Sequence, residues 1–275
     1  MFTLNCKDRL LVVEKPLMMG IINVTPDSFY TGSRFTAIDE VLKQAEKMTR
    51  DGADILDVGG QSTRPGAAEL SAEEELDRVI GVVESLHFNF PRTIISIDTF
   101  YSTVARAAAL AGASIVNDIS GGSRDANMLS VAGSLGVPYI CMHMKGTPDT
   151  MQQHTQYENL GLEIMDYFIQ RLAACRKAGI KDVIIDPGFG FAKTIEQNFA
   201  LLKQLSIFKA LCVPILCGLS RKSTVYKTLG NSAEEALNGT TVLNTLALLN
   251  GANILRVHDV KEAREAATLV AAYLK

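Results

Sequence analysis

From residue 18 onward the chain repeats one pattern: an apolar run of strand length, a Gly-rich polar turn, then an amphipathic stretch of helical length. The apolar runs fall at 18–22, 53–58, 93–97, 114–116, 137–142, 182–185, 213–217 and 253–257, eight in all. Between and after them, helical periodicity predicts helices over 37–50, 71–86, 102–111, 157–178, 194–208, 233–249 and 260–273. Ser71 followed by Glu74 fits a capping box, and Glu73, Glu74 and Glu75 fill a first turn where the helix dipole favours anions. Gly52, Gly112, Gly136, Gly179 and Gly251 each stand where a helix should stop before the next strand. Eight such units without a linker predict a single (β/α)8 TIM barrel over residues 18–275. Residues 1–17 alternate loosely and read as a hairpin-like extension with its tip at Lys7 and Asp8.

Composition narrows the classes. Of 275 residues, 47% are hydrophobic and 21% charged, with a formal net charge of −3. That is ordinary for a globular chain, and it supplies no general electrostatic reason to bind nucleic acid or an anionic membrane. A small-molecule substrate is the expectation. The five cysteines are scattered without a C-x-x-C pair, which points to reduced thiols. No apolar run reaches membrane-spanning length and the first 16 residues interleave charge with apolar positions, so a cytoplasmic location is expected.

In a TIM barrel the reacting residues stand at the C-terminal ends of the strands. Those positions are polar almost throughout: Asn23, Asp57, Asp98, Asn117 with Asp118, His143, Asp186, Ser220 to Ser223, and Arg256 to Asp259. Cations gather on units two, seven and eight as Arg64, Arg221, Lys222, Arg256 and His258, which makes an anion site. Asp98, Asn117 and Asp186 form a second set, suited to a ligand carrying paired N–H donors. The stretch DPGFGF at 186–191 is compatible with a phosphate-cradling turn, a ring-binding pocket or a plain tight turn between strand and helix.

Eight ordered motifs now bear on the question: GIINVTPDSF at 20–29, GGQSTRPG at 59–66, SIDT at 96–99, VNDISG at 116–121, MHMKGTP at 142–148, DPGFGF at 186–191, SRKS at 220–223 and RVH at 256–258. Together they closely resemble the bacterial dihydropteroate synthases. The resemblance implies transfer of a pterin-methyl group from 6-hydroxymethyl-7,8-dihydropterin diphosphate to 4-aminobenzoate, with Mg2+ as cofactor, a homodimer and sensitivity to sulfonamides. Carried onto this sequence, it places Asp98, Asn117, Asp186 and Lys222 about the pterin and Asn23 beside the Mg2+-diphosphate. Arg64, Arg256 and His258 would hold the diphosphate, and Thr63, Pro65, Phe189, Lys222 and Ser223 would frame the aminobenzoate. Arg64, Asp98, Lys222, Arg256 and His258 are thus the expected catalytic groups. Three positions depart from the family's usual residues: Thr31 stands where many members have an acid, Gln61 where Glu is frequent, and Ala192 where Gly is frequent.

Overall fold

A computed structural model of the chain describes residues 1–7, 9–24, 34–61 and 69–275, with 34–37 described by backbone alone. The eight predicted strands are present: β3 (Leu17–Asn23), β4 (Ile55–Gly59), β5 (Ile94–Asp98), β6 (Ile115–Asp118), β7 (Tyr139–Met142), β8 (Val183–Asp186), β9 (Leu216–Cys217) and β10 (Ile254–Val257). They pair in parallel in the order β8-β7-β6-β5-β4-β3-β10-β9. An isolated bridge between Ile185 and Ile215 joins the two edges and closes the barrel.

Strand β9 is shorter than its apolar run. Pro214 has no N–H to give to a ladder, and the Ile215 N–H is taken by the Asn253 side chain at 2.9 Å. The seam between β8 and β9 is consequently held by the bridge and by the Ile185 N–H on the Pro214 carbonyl, at 3.0 Å.

The helices are α1 (Arg34–Arg50), α2 (Ala72–Asn89), α3 (Ser102–Ala111), α4 (Met128–Leu135), α5 (Leu160–Lys177), α6 (Ile195–Gln204), α7 (Ser223–Leu229), α8 (Leu237–Leu249) and α9 (Val260–Tyr273). The capping box of α2 is formed as expected, with the Ser71 N–H on Glu74 at 2.8 Å. Helix α5 begins later than its periodicity suggested, because Asn159 caps it by accepting from the Leu162 N–H. The predicted helix over 194–208 ends at Gln204 and continues as a 3₁₀ segment, Leu205–Leu211. Helices α4 and α7 were not anticipated.

Alternation along the strands sorts side chains into two cores. Outward positions such as Leu56, Val58, Ile95, Ile97, Cys141, Ile185 and Leu255 pack under the helices, while Met19, Ile55, Ile94, Ile115, Ile140, Ile184, Leu216 and Ile254 fill the barrel's lower interior. The N-terminal extension is a true hairpin, β1 (Phe2–Cys6) with β2 (Arg9–Val13), and its Leu4, Cys6 and Val13 join that interior layer. It plugs the bottom of the barrel, with the Asn5 N–H anchored on the Asp182 carboxylate at 2.7 Å. The open end is therefore the other one.

Candidate active site

The same two-residue period that puts isoleucines in the lower layer puts polar groups in the next. Two positions beyond Ile55, Ile94, Ile115, Ile184 and Ile254 stand Asp57, Ser96, Asn117, Asp186 and Arg256, and Asp98 follows Ser96 by the same step. Arg256 reaches across this layer. Its Nε donates to Asp57 Oδ2 and its Nη2 to Asp98 Oδ2, both at 2.6 Å, and the Asn117 side-chain amide donates to Asp57 Oδ2 at 3.0 Å. Asp57 is 0% exposed, and its Oδ1 has no hydrogen-bond partner among the described residues.

Crowded carboxylates in a poorly solvated place resist ionisation. Burial pushes Asp98 up to about 7 in spite of Arg256, and the charges of Asp57, Asp118 and Asp186 add to the effect. Asp186 is raised by burial too, with Lys222 and the Gly188 N–H pulling the other way. Burial pushes Lys222 down to about 8 against the pull of Asp186. For Arg256, burial works against the cation but Asp57 and Asp98 outweigh it, so it stays charged. The barrel mouth is an acceptor-rich floor held together by two cations.

The turn after β8 carries the second half of the site. Asp186 Oδ1 accepts from the Gly188 N–H at 2.8 Å, and Gly188 has φ +71°, with its missing Cβ position 2.0 Å from the His143 carbonyl oxygen. No other residue fits there. Lys222 Nζ donates to the Phe189 carbonyl at 2.5 Å and lies 4.6 Å from the centroid of the Phe191 ring. The expected role of Phe189 as a wall for the aminobenzoate is corrected: its ring is 0% exposed in the main core beneath the helices. Phe191 faces the site instead, clustered with Phe100, Met142 and Ala192. Gly190, at φ +81°, reverses the chain between the two phenylalanines, so their rings part and the first one takes the core.

Ala192, where the family frequently has Gly, adopts φ +50°. A left-handed alanine is strained, so Ala192→Gly is expected to stabilise the protein by up to about 1 kcal/mol in urea unfolding. The Tyr157 hydroxyl bond to the Ala192 carbonyl, at 2.9 Å, involves backbone only and survives the change.

On the remaining rim, Ser220 Oγ lies 3.0 Å from His258 Nδ1 and accepts the His258 backbone N–H at 3.2 Å. Ser223 opens α7 and is partly exposed. Asn23 ends β3 with an exposed side chain, level with Gly59 in the ladder. Arg221 does not join the anion site as its position suggested: its guanidinium makes a bidentate pair with Asp259 at 2.9 and 2.8 Å and reaches the Ala233 and Glu234 carbonyls. Thr63, Arg64 and Pro65, and the departure at Thr31, lie outside the described residues. Gln61, at the edge of that stretch, accepts from the Leu70 N–H at 3.1 Å.

The model of the pterin-binding enzymes matches residues 19–258. Dihydropteroate synthase of Escherichia coli (strain K12) is 44% identical over 266 residues, which cover 96% of this chain and 94% of the relative. A solved Yersinia pestis dihydropteroate synthase with a sulfonamide drug superposes with a TM-score of 0.93 at 40% identity, covering 99% of both chains. The Xanthomonas albilineans enzyme with 4-aminobenzoic acid gives 0.91 at 37% identity, covering 99% of this chain and 98% of the other. The same enzyme with 7,8-dihydropteroate gives 0.89 at 36%, covering 99% of both. The chain belongs to the dihydropteroate synthase family of pterin-binding enzymes.

Within that family frame, three groups stand out that the strand-end reading left without a role. Asp57 was visible as a strand-end acid, but its partnership with Arg256 spans 199 positions of sequence. Lys193 is 3% exposed, beside a buried His143. Glu75, one of the three acids in the first turn of α2, is 0% exposed, and burial pushes its carboxyl up to about 8. The helical period places Glu75 on the stripe of Val79, Val82, Val83 and Leu86, the local signal that separates it from its exposed neighbours Glu73 and Glu74.

Proposed function

We propose that the barrel mouth binds the pterin of 6-hydroxymethyl-7,8-dihydropterin diphosphate and joins its methyl carbon to 4-aminobenzoate, giving 7,8-dihydropteroate and diphosphate. The observation that carries this reading is the floor of Asp57, Asp98, Asn117 and Asp186, acceptors that match a heterocycle edge rich in N–H donors. Each charge-assisted bond to such an edge contributes roughly 1.5–3 kcal/mol net. In the reaction the C–O bond breaks with its electron pair leaving on the diphosphate, the arylamine nitrogen forms the new C–N bond, and the amine sheds a proton. The protein's part is to stabilise charge and exclude water, so no side-chain nucleophile is needed.

Lys222 stands between the two halves, beside Asp186 and over the Phe191 ring, where it meets both the pterin and the incoming amine. Arg256 holds the carboxylates in register and, with His258, supplies the cationic side facing the diphosphate, a role that the family resemblance extends to Arg64. Thr63, Pro65 and Ser223 frame the aminobenzoate on the sequence match alone.

Among the described residues no three His, Cys, Asp or Glu side chains are grouped as a metal cage. Asn23, with an exposed amide at the rim, suits Mg2+ carried chiefly by diphosphate oxygens and water, the coordination this ion favours. Bound there, Mg2+ would neutralise charge on the leaving group.

No helix among the described residues is long and apolar enough to cross a membrane, which fits work in the cytoplasm. Exposed Val242, Leu246 and Leu249 on α8, with Leu269 and Tyr273 on α9, support a homodimer formed through these last helices.

Purified protein given Mg2+, the dihydropterin diphosphate and 4-aminobenzoate should form dihydropteroate and diphosphate in equal amounts. Product at background level would overturn the proposal. Asp186→Asn should weaken pterin binding by roughly 1.5–3 kcal/mol in a calorimetric titration, and an unchanged affinity would remove Asp186 from the pocket.

A further inference from the structure

We propose that Lys193 is a positioning residue that clamps the turn after β8 and so aims Lys222 and the Phe191 ring at the arylamine. Its Nζ lies 3.0 Å from the Gly188 carbonyl, 3.0 Å from the Phe191 carbonyl and 3.1 Å from His143 Nδ1. Burial pushes Lys193 down to about 7 against the pull of Asp186; its protonated form has three donors, and here three acceptors surround it, none of them a carboxylate. Burial and the nearby Lys193 and Lys145 charges push His143 down to about 2, so its ring is neutral and can accept.

The arrangement is costly for an ordinary structural residue. Lys193 is 3% exposed, and a buried cation is tolerated only where its bonds are complete. What it secures is the run from Gly188 to Phe191, two of whose carbonyls it holds. The carbonyl between them, on Phe189, receives Lys222 Nζ, and the ring of Phe191 lies under the same nitrogen. Gly190, at φ +81°, brings the turn so near that its missing Cβ position is 3.2 Å from Lys222 Cδ. The bond from Lys193 to His143 ties the turn to the end of β7, so the turn is fixed to the barrel on both sides.

The inference rests on the reading that this turn forms the aminobenzoate side of the site. Lys193→Met keeps the stem and removes all three donors. Because a displacement near 1 Å in a reacting group can cost on the order of a hundredfold, K193M should raise KM for 4-aminobenzoate by about ten- to a hundredfold. KM for the dihydropterin diphosphate should also rise, through Lys222, but several-fold less, since Asp57, Asp98 and Asn117 of the pterin floor come from other strands, and general loss of structure would not divide the two constants in this way. Lys193→Gln, with two N–H donors on a shorter stem, should show the same split at smaller size and serves if K193M does not fold. Wild-type turnover in the same assay tests the reaction itself. An active wild type whose Lys193 variants keep both KM values, or raise both equally, overturns the positioning role alone.

Discussion

Arg256→Ala is expected to abolish turnover and also to lower folding stability by about 3–5 kcal/mol, the usual cost of removing one partner from a buried ion pair. The guanidinium bridges Asp57, which is fully buried, and Asp98, and no other cation donates a hydrogen bond to either among the described residues. Without it, two carboxylates face each other in a space where Asp98 already resists ionisation. The sign with pH follows from Asp98. Its folded value, raised by burial and held back by Arg256, would rise further in the variant. The folded state then binds more protons than the unfolded chain, so stability is fullest below the ordinary aspartate range and is lost as pH rises through the folded value. Urea unfolding of R256A at pH 5.5 and pH 8 should therefore show the larger deficit at pH 8, and adding Asp57→Asn should recover part of it. A variant that unfolds like the wild type at both pH values would show that the pair serves catalysis only.

Glu75→Gln should have the opposite effect on stability. In the wild type the Glu75 carboxyl is raised to about 8 mainly by burial, with the Asp98 charge adding and Thr99 and Arg78 opposing. A raised acid contributes stability that is complete below its unfolded pKa and is lost as pH climbs through the folded one, a window from about 4.5 to 8. Each unit of that window is worth about 1.4 kcal/mol, so the neutral amide should stabilise the protein by a few kcal/mol at pH 8 and change little at pH 4.5. Melting curves of the two proteins across this range would decide it. Parallel slopes would mean that Glu75 is not titrating in the folded state.

The barrel was legible because its evidence is repetitive: eight β-branched runs, each closed by a polar strand end, admit few other architectures. Short elements escaped, since the eight residues of α4 and the seven of α7 are too few for a helical period to declare itself. Gly136 did mark the stop of α4 even so. Asp98, Asn117 and Asp186 could be grouped because each ends a strand, of units three, four and six, with a side chain able to accept hydrogen bonds, whereas the choice between Phe189 and Phe191 could not be made from spacing. Both sit in one turn, and only packing shows which ring goes inward. Lys193 and Glu75 were passed over for a different reason. Charged residues are nearly always exposed, so residue type alone assigns them to the surface. Arg256 was found, but as a diphosphate ligand; the carboxylates it restrains lie 199 and 158 positions away.

The thin join between β8 and β9 has a bearing on how the enzyme breathes. A barrel resists widening through its ladder, and this ring has one place where the ladder is reduced to a single bridge, flanked by Pro214. Above that gap, the side chain of Lys222 reaches from the end of β9 to the carbonyl of Phe189 beyond β8, acting as a rung where the backbone supplies none. A ligand lodged between Asp186 and Lys222 spans the same gap. It would staple the ring shut, so ligand binding should slow amide exchange more in β8 and β9 than in the fully paired strands opposite.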